Sequence, residues 1–308
     1  DHGGSLTFSG PAAQFVGSGG VAGAHFTFAA TDGAIIQLPG LTHLQAPGDF
    51  EQFFPAGTAF TASGPGSRLT VPDLTTVDGP VAWNVRGAPA VRFEAANGAE
   101  LHLPKLTQLN GRTQLRALGD ASLLTAPLLT TITSTDATFP ASIEATGGGQ
   151  VRCDQLGAVT RVTITLSNDG LLDAGTLELK TGAILHGTGT LAADLVNEGT
   201  IALDRTTGSL VIQGSVVLKP AGVLAVTLGT GGVAGLLDVR GATTLDGTLK
   251  VTKAPGYTPA AGQQFTAALF AQPPAGQFAS VDDAALGASL KLNPTIIPAN
   301  LTLNIAAR

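Results

Sequence analysis

Leu101-His-Leu-Pro-Lys-Leu-Thr-Gln-Leu109 recurs in variant form along the first half of the chain. Its relatives are Ile36-Gln-Leu-Pro-Gly-Leu-Thr-His-Leu44, Leu69-Thr-Val-Pro-Asp-Leu-Thr-Thr-Val77 and Leu124-Thr-Ala-Pro-Leu-Leu-Thr-Thr-Ile132. A decayed copy follows, Val151-Arg-Cys-Asp-Gln-Leu-Gly-Ala-Val159. The template is L-x-L-P-x-L-T-x-L, and successive copies begin 33, 32, 23 and 27 residues apart. Its first three positions alternate apolar, variable, apolar, which predicts a short strand with one buried face. Proline lacks an N–H and bends the chain, so it ends that strand. The L-T-x-L that follows re-enters the core after a corner.

A second short strand precedes each copy: Phe26-Thr-Phe28, Phe60-Thr-Ala62, Phe93-Glu-Ala95, Leu115-Arg-Ala117 and Ile143-Glu-Ala145. Gly-containing turns such as Asp32-Gly33 and Asn97-Gly98 separate the two. Each repeat therefore holds two or three strands joined by tight corners. A period of this length suits one coil of a parallel β-helix, with like positions stacked about 4.8 Å apart. Leu38, Val71, Leu103, Ala126 and Cys153 are expected to form one inward column. Phe26, Phe60, Phe93, Leu115 and Ile143 are expected to form another.

The second half repeats differently. Gly175-Thr-Leu-Glu-Leu179, Gly189-Thr-Leu191, Gly199-Thr-Ile-Ala-Leu203, Gly208-Ser-Leu-Val-Ile212 and Gly247-Thr-Leu-Lys-Val251 open on glycine and then alternate. Glycine permits a left-handed turn, and the alternation gives the strand. Helical periodicity is nearly absent, with Asp282 to Leu290 the one weak candidate. The expected fold is all-β: a right-handed parallel β-helix over residues 1–253, changing repeat type near 165–175, and an irregular β segment or cap over 254–308.

Asn197-Glu-Gly-Thr-Ile-Ala-Leu203 through Gly208-Ser-Leu-Val-Ile-Gln-Gly214 resembles the late passenger region of autotransporter-type bacterial surface proteins. So do Leu237-Asp-Val-Arg-Gly-Ala-Thr-Thr-Leu-Asp-Gly-Thr-Leu-Lys-Val251, Ala254-Pro-Gly-Tyr-Thr-Pro-Ala-Ala-Gly-Gln-Gln-Phe265 and Gly276-Gln-Phe-Ala-Ser-Val281. The resemblance covers about residues 175–308. It implies export and a right-handed β-helix, and it carries no catalytic residues across. Anchoring by a self-translocating membrane β-barrel is not expected unless that barrel was cut away, because none follows Leu301-Thr-Leu-Asn-Ile305 in this sequence.

Composition narrows the function. Of 308 residues, 12% are charged, against about 25% in an average soluble domain. The formal net charge of −6, with no basic block, disfavours nucleic acid. The chain has no methionine, so either removal of a leader or a fragment of a longer chain is expected; with the scarcity of lysine, a removed leader favours a secreted or cell-surface location. The lone Cys153 cannot form an intrachain disulfide, and its place in the template reads as core.

The polar residues read as structure before chemistry. Thr27, Thr61, Glu94, Arg116 and Glu144 take the outward position of the upstream strand. A Glu–Arg–Glu column is expected to be an ion-pair ladder in preference to an acid/base site. His2, His25, His43, His102 and His186 show no metal spacing. Gly147-Gly-Gly149 is a corner, since neither helix nor lysine follows it. Thr42, Thr75, Thr107 and Thr130 stack at one template position, where hydroxyls can be satisfied along a corner. Trp83 and Tyr257 are too few for an aromatic-lined sugar cleft.

No catalytic residues, metal ligands or cofactor are assigned. The expected role is an extracellular structural protein, a surface or matrix component that self-assembles into a filament or sheath through its terminal strands. The alternative is a polysaccharide-binding adhesin, or a polysaccharide lyase or hydrolase on a β-helix. The expected partners are other copies and a surface polysaccharide, with no membrane span.

Overall fold

Strand-ending prolines and corner glycines bound many strands of the structure, a computed structural model that describes residues 5–7, 14–16, 26–45, 58–79, 91–136, 138, 140–204 and 208–308. The side chains of residues 5–7, 14–16 and 26 lie outside that description. The chain divides into two compact units, Asp1–Gly175 and Thr176–Arg308. Each is a stack of parallel strands, a β-helix, and the described helical segments are two three-residue 3-10 turns, Thr230–Gly232 and Ala284–Leu286. The weak helix candidate from Asp282 to Leu290 is therefore a single turn, and its successor Gly287 (φ +90) leads into a strand.

In the first unit the template repeats occupy two of three faces. The second face stacks Ser5–Thr7, Ile35–Gln37, Arg68–Thr70, Glu100–His102, Leu123–Thr125 and Gln150–Cys153 in parallel register. The third stacks Gln14–Val16, His43–Gln45, Thr76–Asp78, Gln108–Asn110, Thr131–Thr133 and Ala158–Thr160. The first face consists of the six-residue strands Phe26–Thr31, Thr58–Ser63, Val91–Ala96, Thr113–Leu118, Ala141–Thr146 and Val162–Ser167. Four of the template's second-face strands stop after three residues, where proline stands next but one. Where Asp154 replaces the proline the strand runs Gln150–Cys153, and the next, with no proline, runs Leu171–Leu179.

The inward column Leu38, Val71, Leu103, Ala126 and Cys153 is buried as expected, and so are Leu41, Leu74, Leu106, Leu129 and Leu156 after the corner. The other column needs correction at its first member. Phe28, not Phe26, stands in register with Phe60, and their rings stack at 5.1 Å, as do those of Phe60 and Phe93 at 5.0 Å. Phe26 instead pairs with Thr58, and Thr27 with Ala59. The strands are aligned by the turns that follow them, which set Thr31 opposite Ser63 and Ala96, and not by their first aromatic residue. At those turns Asp32-Gly33 and Asn97-Gly98 each place two successive residues in the left-handed region.

The second unit stacks parallel strands of its own. Its first face stacks Ile184–Gly187, Thr200–Leu203, Val223–Leu228, Thr248–Lys253 and Ser280–Asp282. Leu185, Ile201, Leu224 and Leu249 form its core column. The glycine that opens a rung serves close approach more than turn geometry. A Cβ on Gly199 would lie 2.4 Å from the Ala183 carbonyl oxygen, yet only Gly247 of the pair Gly199 and Gly247 has a positive φ. Asn197, just before Gly199, is fully buried. Its amide donates to the Val223 carbonyl (3.2 Å) and its oxygen accepts from the Gly199 N–H (3.1 Å), so an Asn-x-Gly corner is satisfied without water.

Leu301-Thr-Leu-Asn-Ile305 is a strand, but it is not the open edge that the sequence suggests. The chain reverses, and Asn300–Ala307 lies antiparallel between Gln264–Phe270 and Leu290–Ile297. The outer strand of this hairpin carries Pro294, which has no N–H to offer a neighbour. Arg308 fastens the end: its Nε donates to the Leu290 carbonyl, and its guanidinium pairs with Asp283 at 2.5 Å. Among the described residues, no helix is long and apolar enough to cross a membrane.

Candidate functional site

Parallel register places like positions on neighbouring rungs, so polar side chains of the first unit meet in columns. On the first face Arg116 stands between Glu94 and Glu144, at 2.6 and 2.8 Å. The outward column is Ala29, Thr61, Glu94, Arg116, Glu144 and Thr165. Thr27 belongs to the neighbouring column, for the register reason above. Arg116 and its partners are partly exposed, so the ladder behaves as a surface network. Arg116→Ala is expected to lower stability by no more than about 1 kcal/mol in urea unfolding; a loss of several kcal/mol would reject that reading.

The threonine column binds its own scaffold. Thr75, Thr107 and Thr130 donate their hydroxyls to the carbonyls of Thr42, Thr75 and Thr107 at 2.9–3.0 Å. Each hydroxyl is thereby spent on the rung before it. On the same face His43 Nε2 lies 2.7 Å from Asp78, which also accepts from Asn110. At the corner Asp73 accepts from Lys105 and from the Gly40 N–H, and the Lys105 hydrogen bond, then Gly40's, holds its carboxyl below the usual range.

The second face holds an arrangement that departs from this self-satisfaction. Gln37, Thr70, His102, Thr125, Arg152 and Asp173 follow one another outward on successive rungs. His102 links Glu100 (Nε2, 3.0 Å) to the Thr125 hydroxyl (Nδ1, 2.8 Å), and Arg68 pairs with Glu100 at 2.6 Å. The His102 hydrogen bond, with help from Arg68, holds the Glu100 carboxyl below the usual range. Beyond Thr125 the pairing stops. A recess of about 590 Å³ opens there, lined by Thr125, Pro127, Arg152, Asp154, Asp173 and Ala174. Arg152 donates to Gln150 at 2.8 Å, and among the described residues neither Asp154 nor Asp173 forms an ion pair.

Sequence reading did not single out Arg152, Asp154 or Asp173. The signal was the fourth template position, where Pro39, Pro72, Pro104 and Pro127 give way to Asp154 and then Gly175. The proline column that fills this corner ends there, and Gly175 brings no side chain to cover the gap. Beneath it Cys153 is fully buried, and burial, the largest cause, pushes its thiol up to about 12.

The remaining candidates sit elsewhere. His186 lies 3.4 Å from Asp204 in the second unit. Tyr257 is buried, donates to Gln263 and meets the Phe265 ring edge-on at 6.3 Å, so it packs the core. Gly147-Gly-Gly149 is a corner of the first unit, between Ala141–Thr146 and Gln150–Cys153. His2, His25 and Trp83 lie outside the described residues. Among the described residues, no group of three or more His, Cys, Asp or Glu is arranged to hold a metal ion. A scan against protein-family models finds no match, and neither does a search of curated proteins.

Proposed function

We propose that this chain is an extracellular structural protein, a surface or matrix component whose copies associate with one another. The observation that supports it is the rung-to-rung use of surface polar groups, seen in the Thr75–Thr107–Thr130 hydroxyls and in Arg116 between Glu94 and Glu144. Side chains committed to the neighbouring rung make a stack durable and leave its surface chemically quiet. The passenger-like repeats of residues 175–308 support export to a bacterial cell surface. With the C-terminal hairpin covering one end and Pro294 on its outer strand, association runs through the N-terminal strands and the low-charge faces.

Light scattering and electron microscopy of the full chain at rising concentration test this. Association into filaments or sheets is expected, and deletion of residues 1–8 is expected to abolish it while the β-rich circular dichroism spectrum persists. A strictly monomeric full-length protein at high concentration rejects the reading.

A further inference from the structure

We infer that the recess bounded by Thr125, Pro127, Arg152, Asp154 and Asp173 binds a glycan chain of neutral or amino-bearing sugars. The inference does not rest on the structural role proposed above. Elsewhere on the first unit's faces the carboxylates of Asp73, Asp78, Glu94, Glu100 and Glu144 have cationic or imidazole partners. Asp154 and Asp173 have none, and they line a cavity with an arginine that spends a donor on Gln150 and keeps others. Such a set matches a ligand rich in both donors and acceptors.

Charge and shape narrow the ligand. The Arg152 guanidinium opposes a bare metal cation, and two carboxylates against one guanidinium oppose a polyanion. Vicinal hydroxyls donate to carboxylates and accept from guanidinium, and an amine strengthens the first contact. The Pro127 ring gives a small apolar patch for the C–H face of a sugar ring, a role usually taken by aromatic residues. His102 lies between Glu100 (Nε2, 3.0 Å) and the Thr125 hydroxyl (Nδ1, 2.8 Å), which holds that hydroxyl in place at the edge of the recess. From Thr125 to Asp173 the recess spans two rungs, about 10 Å at about 4.8 Å each, which exceeds one sugar ring.

Isothermal titration calorimetry of the full chain with cellohexaose, a chitosan hexamer and hexagalacturonate tests the inference. The neutral and amino hexamers are expected to bind, with hexagalacturonate at least tenfold weaker. The double variant Asp154→Asn, Asp173→Asn is expected to weaken the chitosan hexamer at least tenfold, and Arg152→Ala to weaken cellohexaose. Arg116→Ala, on another face, should leave both unchanged. Three results would each overturn the site: no binding of either hexamer, affinities indifferent to the recess variants, or preference for the acidic hexamer. Closure of Cys153 to thiol reagents in every variant certifies that the fold persists.

Discussion

Leu103→Asp is expected to unfold the first unit. Leu103 is fully buried in the column of Val71 and Ala126. The substitution forfeits about 1.5–3 kcal/mol of apolar burial. It also puts a carboxylate where the core offers no partner, which adds several kcal/mol or forces the strand outward. Against a total stability on the order of 5–15 kcal/mol, that is decisive. Cys153 reports the result, since it lies further along the same column, is fully buried, and has its thiol pushed up to about 12 by burial first. In the native chain it should resist thiol reagents at pH 8, and in Leu103→Asp it should react at the rate of an unfolded peptide. Continued protection would mean that the column does not carry the fold.

The second large effect is expected at Gly170. A Cβ there would lie 1.9 Å from the Ala145 carbonyl oxygen and 2.3 Å from its carbon, one rung below. The obstacle is backbone hydrogen-bonded into the stack, so it cannot swing aside, and Gly170→Ala should cost about 3 kcal/mol or more. Gly33→Ala provides the contrast. Its added methyl would meet nothing within 4 Å, so only its positive φ (+79) opposes the change, at about 1–2 kcal/mol. Urea unfolding of both variants should rank Gly170 well above Gly33. The opposite order would show that turn conformation, not rung-to-rung contact, places these glycines.

Much of this architecture is legible in one repeated nonapeptide. The L-x-L-P-x-L-T-x-L template gives strand, corner and the next strand with the correct inward faces, because each position answers to a single local rule. Phe26 and Phe28 escaped because alternation makes both inward, and the choice between them depends on the turn that follows Thr31. The C-terminal hairpin escaped for a different reason. Leu290–Ile297 and Asn300–Ala307 alternate just as rung strands do, and only the short Pro298-Ala299 link signals reversal. The recess was visible as a defect, with Asp154 in a proline's place, yet a single departure in a decayed copy carries little weight until the rungs are stacked. That Asp173 then falls beside Arg152 is a matter of register across repeats of unequal length.

Those unequal lengths have a consequence for how such a chain can change. The corner after the first face and the corner at the template proline hardly vary. The spacing from each third-face strand to the next first-face strand takes up nearly all the difference: Gln45 to Thr58, Asp78 to Val91, Asn110 to Thr113, Thr133 to Ala141 and Thr160 to Val162. Lengthening a loop costs little, about 0.6 kcal/mol for each doubling. Mutation can therefore enlarge or exchange these segments one at a time while the strands keep their partners. The stack works as a chassis with an open port at every level, along which new surface can be gained by insertion and lost by deletion without inventing a new fold.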